Sequence, residues 1–251
     1  MFSRTFIGII ISIGTIVFAC KNSSPKSSLK IACAANMHLA IDSIVEIFEN
    51  KYKIDCETSI NASGILTTQI LNGAPFNIFL SADMKYPNAI YDAGLSTKPV
   101  IYAKGKLILV ADKKLGMTSI ADALKNTKRI AIADENLAPY GKAAVNFLKE
   151  EGYYATVEHK LVMAESIGQV NQFLKSKAVD LGFTSATFRQ ENSQAFDYFD
   201  VALLDDNQIE QGMVILHSES PTIQTNAELF ADFMQTTTVK NILLHFNYDI
   251  N

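Results

Sequence analysis

Four positions of this chain pair a strand-to-helix transition with a neutral hydrogen-bond donor: Asn36, Ser63, Tyr140 and Ile167. Asn36 and Ser63 bring a side-chain amide and a hydroxyl. All four bring a backbone N–H in or beside the first turn of a helix, where amides have no partner within the helix and the helix dipole favours negative charge. Such groups suit the capture of a small anion whose oxygens only accept hydrogen bonds. This is recognition without bond making, because nothing in the set is a nucleophile beside a base.

Asn36 lies in Ala34-Ala35-Asn36-Met37 and Ser63 in Asn61-Ala62-Ser63-Gly64, where Gly64 permits close backbone approach. Each residue alone reads more simply as an N-cap. In the second half, Ala138-Pro139-Tyr140 leads into a helix from Gly141, and Glu165-Ser166-Ile167 into another. Their turns leave the amides of Tyr140 and Ile167 free to face a ligand, although an ordinary turn and an ordinary serine cap would account for each separately. A further run, Asn72-Gly73-Ala74-Pro75 followed by Phe79-Leu80-Ser81-Ala82-Asp83, completes the pattern.

The elements that must position these residues follow from periodicity. Lys30–Ala35, Asp55–Ile60 and Phe76–Ser81 read as strands. Between and after them, helical stripes begin at Asn36, at Ser63 and at Pro87, the last two ended by Gly73 and Gly94. This β-α-β-α-β order marks a parallel α/β sheet. The rhythm restarts with strands at Arg129–Ala133, Val157–Val162, Val179–Thr184 and Val201–Leu204, and helices at Gly141–Glu151 and Ile167–Leu174. Leu107–Val110 and Met213–Leu216 stand apart as candidate crossover strands, and the tail is helical. Two lobes joined by crossovers fit this order, and a single doubly wound domain is the alternative. In a parallel lobe the strand-to-helix turns gather at the strands' C-terminal edge.

Together these motifs resemble the molybdate-binding family of periplasmic proteins that serve ABC importers, from Lys30 to Tyr248. The resemblance implies a two-lobed periplasmic-binding-protein fold of type II, each lobe a mainly parallel α/β sheet flanked by helices. The lobes would be 30–107 with 213–251, and 108–212. It implies anion contacts at Asn36, Ser63, Tyr140 and Ile167. A fifth contact in some members is a tyrosine hydroxyl, and Ser185 takes that place here. Asp83 belongs to the family motif, but an acid facing a dianion would repel it, so its role is structural. The implied partners are molybdate or tungstate, an ABC permease, and the membrane through a lipid anchor, with the protein a monomer. No cofactor is implied, and molybdenum enters only as the bound oxyanion. Sulfate or another oxyanion is the near alternative. A secreted serine hydrolase using Ser63 is the alternative of a different class, and it has neither a Gly-x-Ser-x-Gly elbow nor a histidine in a partner motif.

The composition excludes other classes. The net charge is −4 and no basic run exceeds two residues, so nothing reads as a nucleic-acid surface. His38, His159, His217 and His245 are scattered without metal-ligand spacing. Cys33 and Cys56 fall in separate expected strands, where they are either a disulfide or two free thiols. The leader is clearer. Arg4 is the only charged side chain before Cys20, Phe6 to Ala19 is almost wholly apolar, and the run is too brief for a comfortable membrane span. Val17-Phe18-Ala19-Cys20 resembles a lipoprotein cleavage pattern, giving a signal peptide at 1–19 and a tether at 20–29. A plain secretory signal or an uncleaved anchor are the other readings, and the polar stretch from Lys21 to Ser28 favours a tether. Intact-mass measurement of the mature protein from its native host should find a diacylglyceryl adduct on Cys20; an unmodified, freely soluble chain would refute lipidation.

Overall fold

A computed structural model describes residues 28–190, 194–204 and 208–250. The leader and Cys20 lie outside the described residues. The chain begins with β1 (Leu29–Ala34), a 3-10 turn at Ala35–Met37, α1 (His38–Tyr52), β2 (Cys56–Asn61), α2 (Ser63–Leu71), β3 (Ile78–Ser81), α3 (Lys85–Asp92) and β4 (Val100–Gly105). It continues through β5 (Leu107–Asp112), α4 (Ile120–Asn126), β6 (Ile130–Ala133), α5 (Pro139–Glu150), α6 (Tyr154–Val157), β7 (Leu161–Ala164), α7 (Ile167–Lys175), β8 (Leu181–Ser185) and β9 (Phe196–Asp200). It ends with β10 (Ile209–Ile215), α8 (Pro221–Met234) and α9 (Thr237–His245).

The strands form two five-stranded sheets, ordered β2-β1-β3-β10-β4 and β7-β6-β8-β5-β9. In the first, β1 runs parallel to β2 and β3, and β10 is antiparallel to β3 and β4. In the second, β6 runs parallel to β7 and β8, and β5 is antiparallel to β8 and β9. The two sheets therefore share one plan. In each, the antiparallel strand inserted beside the edge is the one that has just arrived from the other lobe. The chain crosses once at Lys106 and once after Asp200.

Side-chain alternation along the first sheet explains its layers. Ile31, Cys33, Ile78, Leu80 and Met213 face a core closed by α1, α8 and α9, where the Phe48 ring lies 4.9 Å from that of Phe230 and 5.5 Å from that of Phe233. Their neighbours Ala32, Phe79 and Val214 face the other side, against Leu66 and Ile70 of α2 and Ile90 of α3. The result is a type II periplasmic-binding-protein fold of mixed α/β class.

Two expected strands are placed differently. Over Val157–Val162 the chain first makes the turn of α6 and a 3-10 turn at Glu158–Lys160, and only Leu161–Ala164 pairs. Val157 is buried, but from a helix, because burial alone does not distinguish the two periods. Val201–Leu204 is not a strand. Pairing falls on Phe196–Asp200, from Asp112 opposite Phe196 to Ile108 opposite Asp200, so the edge of the sheet is fixed by backbone pairing with β5 and not by the next apolar run. The open question of the cysteines is also decided. Cys56 lies opposite Leu29 and Cys33 opposite Ile60, four residues apart along parallel strands, and both thiols are free.

The lobes touch on both flanks of the cleft. Gly64 N–H donates to Leu137 O at 2.9 Å, and Tyr86 Oη donates to Asn136 O at 2.7 Å. On the crossover side, Thr187 Oγ1 donates to Asn36 O at 3.2 Å and Gln190 Nε2 to His245 O at 2.6 Å. A Cβ on Gly64 would lie 3.0 Å from Leu137 O and 3.1 Å from Leu137 Cα, both backbone atoms. Gly64→Ala favours α2 locally by up to about 1 kcal/mol, yet its Cβ crowds the Leu137 backbone across the lobe contact. Thermal unfolding should give the variant a lower midpoint than the parent, with no loss of helix content by circular dichroism in the folded state.

Candidate functional site

The cleft between the two sheets ends in a small pocket, and Asn36, Ser63, Tyr140 and Ile167 all line it. Each arrives on a different turn. Asn36 is in the 3-10 turn after β1, Ser63 opens α2 after β2, Tyr140 is in the first turn of α5, and Ile167 opens α7 after β7. The geometry follows from two mixed sheets that present the C-terminal ends of their parallel strands to one another. Between these residues the wall is made by Ala35, Ala62, Ala82 and Ala138, whose short side chains leave backbone groups accessible. Among the described residues, no charged side chain lines the pocket.

The helix starts differ in how their amides are used. Ser63 is not the cap of α2. That position is Ala62, which has no capping side chain, and Ser63 Oγ instead accepts from Ala82 N at 3.1 Å. An oxygen that accepts from an amide keeps its own hydrogen to give, so the buried Ser63 hydroxyl is a donor facing the pocket. In α5, Pro139 fills the first position and has no N–H, which makes Tyr140 the first residue with a free amide. Gly141 allows this start, because a Cβ there would stand 2.1 Å from Ala133 O. In α7, Ser166 caps by accepting from Gln169 N at 3.3 Å, leaving the Ile167 amide without an intrahelical partner.

Asn36 is held from several sides. Its Nδ2 donates to Gln211 Oε1 at 2.8 Å and to Tyr248 Oη at 2.7 Å, and Tyr248 Oη donates to Asn36 O at 3.0 Å. Asn36 Oδ1 and Tyr140 Oη are buried without hydrogen-bond partners. The Tyr140 ring leaves the pocket for the first lobe, its Oη resting in a notch at Gly105, where a Cβ would come within 2.0 Å. Burial pushes the Tyr140 phenol well above its ordinary range, with the neighbouring Asn36 amide acting weakly against it, so the phenol is neutral.

Ser185 does not reach the pocket wall. It is fully buried in β8 with its hydroxyl bonded to Thr187 Oγ1, which in turn donates to Asn36 O. Asp83 also stays outside this pocket. Its carboxylate accepts from Tyr86 N at 3.2 Å, holding the start of α3, and burial raises its pKa against the lowering effect of that bond, of Ser81 and of Lys85 and Lys142. Gln211, Tyr248 and Thr187 escaped the sequence reading. None carried a local signal, and Gln211 falls just ahead of the strand expected at Met213–Leu216. Among the described residues, no group of three His, Cys, Asp or Glu side chains could hold a metal ion.

Residues 29–248 match the family model described as bacterial extracellular solute-binding protein. The molybdate-binding protein ModA of Rhodobacter capsulatus is 30% identical over 226 residues, covering 86% of this chain and 86% of that protein. The molybdate-binding protein ModA of Azotobacter vinelandii is 32% identical over 181 residues, covering 70% of this chain and 71% of its own. The solved structure of the Azotobacter vinelandii periplasmic molybdate-binding protein superimposes with a TM-score of 0.80 at 27% identity, over 89% of this chain and 100% of that one. The match runs from the first residue of β1 to the tyrosine that holds Asn36, and on that extent this chain belongs to the bacterial extracellular solute-binding protein family.

Proposed function

We propose that this protein captures molybdate, and tungstate with it, and delivers it to an ABC importer. The observation that carries the reading is the convergence of four turns on one small pocket that, among the described residues, is lined by no charged side chain. Its donors are amides of first helical turns and the Ser63 hydroxyl, which are the groups a tetrahedral dianion can use without a counter-charge. The curated relatives named as molybdate-binding proteins support this choice of anion. The direct contacts would be Asn36, Ser63, Tyr140 and Ile167, and Ser185 would act indirectly, through its bond to Thr187 and the bond of Thr187 to Asn36 O. Because two contacts come from each lobe, the ligand would favour the closed arrangement over an open one. In this reading the protein is a monomer in the periplasm, tethered to the membrane through a lipid on Cys20.

Sulfate is the near alternative, since the same donors suit any tetrahedral oxyanion and only the fit of the cavity separates them. A hydrolase reading has no comparable support, since among the described residues Ser63 Oγ bonds to the Ala82 backbone amide and not to a histidine. A thermal-shift panel of molybdate, tungstate, sulfate and phosphate separates the anions. The true ligand should stabilise the protein by about 2.7 kcal/mol at a hundredfold excess over its dissociation constant.

Calorimetric titration of Ser63→Ala provides the residue-level test. Losing a hydroxyl bond to a charged ligand should weaken binding by roughly 1.5–3 kcal/mol, and losing the acceptor for Ala82 N should lower stability by about 1 kcal/mol. Unchanged affinity would remove Ser63 from the site.

A further inference from the structure

We propose that Gln211 is a positioning residue of this pocket, acting through Asn36 and joining it to Ser63 by hydrogen bonds to the two sides of the Ala82 backbone. The inference rests on the oxyanion reading above. Gln211 is fully buried, and its Nε2 donates to Ile209 O at 3.0 Å and to Ala82 O at 3.3 Å. Those two carbonyls fix the direction of the side-chain amide, because a flipped amide would set oxygen against oxygen. Oε1 is thereby turned to Asn36 Nδ2, the 2.8 Å bond already described. Ala82 is the residue whose N–H donates to Ser63 Oγ. One side chain on β10 thus ties together two pocket residues from separate turns, Asn36 after β1 and Ser63 after β2.

The backbone is shaped around this side chain. Pairing of β10 with β4 shifts at Gln211, from Gln211 opposite Ala103 to Gly212 opposite Ile101, leaving Tyr102 as the extra residue of a bulge. A bulge bends the strand that carries the extra residue, here β4 opposite Gln211, and such bends often lie next to functional sites. Gly105 reserves the remaining space, since a Cβ there would lie 2.9 Å from Gln211 Nε2 as well as against Tyr140 Oη.

Replacement by the isosteric acid is a test that packing does not mimic. In Gln211→Glu, the ionised carboxylate has no hydrogen for Ala82 O or Ile209 O and places a negative charge behind Asn36. Protonated, it regains one donor and keeps its acceptor. Burial in this setting raises a carboxyl pKa by up to about 3–5 units. Molybdate affinity of the variant should therefore be roughly tenfold or more below that of the parent at about pH 8.5, and should recover toward it as the pH falls to about 6. The surrounding titratable groups are Tyr102 on β4, Cys33 on β1, Tyr140 on α5, Tyr248 after α9 and Asp83 after β3. Burial raises the pKa of all five, so the three phenols and the thiol stay neutral over this range, and the Asp83 contribution is present in the parent profile, which serves as control.

Calorimetric titrations with dilute molybdate across this range decide the matter. A Gln211→Glu variant that binds like the parent at every pH, or is weakened equally at every pH, overturns the inference alone. A parent that binds none of the tetrahedral oxyanions overturns the oxyanion reading and this inference with it. Should Gln211→Glu fail to fold, Tyr248→Phe removes the other partner of the same Asn36 amide. It should weaken molybdate binding several-fold with a flat pH profile, and unchanged affinity would overturn the proposal.

Discussion

Unpaired amides at helix starts are what the rest of this structure is arranged around. Such a group is costly to bury empty and strongly favourable when it meets an anion. One helix start is a weak site. Here the turns from two sheets face each other across a cleft, and the first free amides of α5 and α7 oppose the Ser63 hydroxyl and the turn holding Asn36. Only a two-lobed chain whose sheets present the same strand edge to one another can bring these turns together.

That convergence demands close approach, and the small residues sit where approach is closest. Gly64 brings α2 against the backbone of Leu137, Gly141 lets α5 begin over the end of β6, and Gly105 opens the notch that takes the Tyr140 phenol. The alanines of the pocket wall serve the same end by leaving the turns bare. Larger side chains at these points would keep the donors apart even if each helix formed perfectly.

Behind the pocket lies a second layer of polar groups. Gln211, Tyr248 and Thr187 hold Asn36 from β10, from the C-terminal segment and from the second lobe. Three regions distant in sequence therefore meet at one residue. The orientation of that residue is a property of the assembled molecule, because none of its partners lies on the same element.

Much of this was legible before folding. The β-α rhythm, the two halves and the four turns at Asn36, Ser63, Tyr140 and Ile167 follow from period, caps and breakers, which are local properties. The residue-level roles were not. Ser63 resembled a cap because a serine before an apolar stripe usually is one, and only the packing of β3 beside α2 turned its oxygen to Ala82. Val157 and Val201 read as strand because apolarity marks burial and not the element that achieves it. Gln211 was silent because its partners are brought near only when β10 returns from the second lobe. Sequence by itself determined which turns exist and what donors they carry. The tertiary structure alone decided which donors meet and which way each one points, since those depend on contacts between residues far apart along the chain.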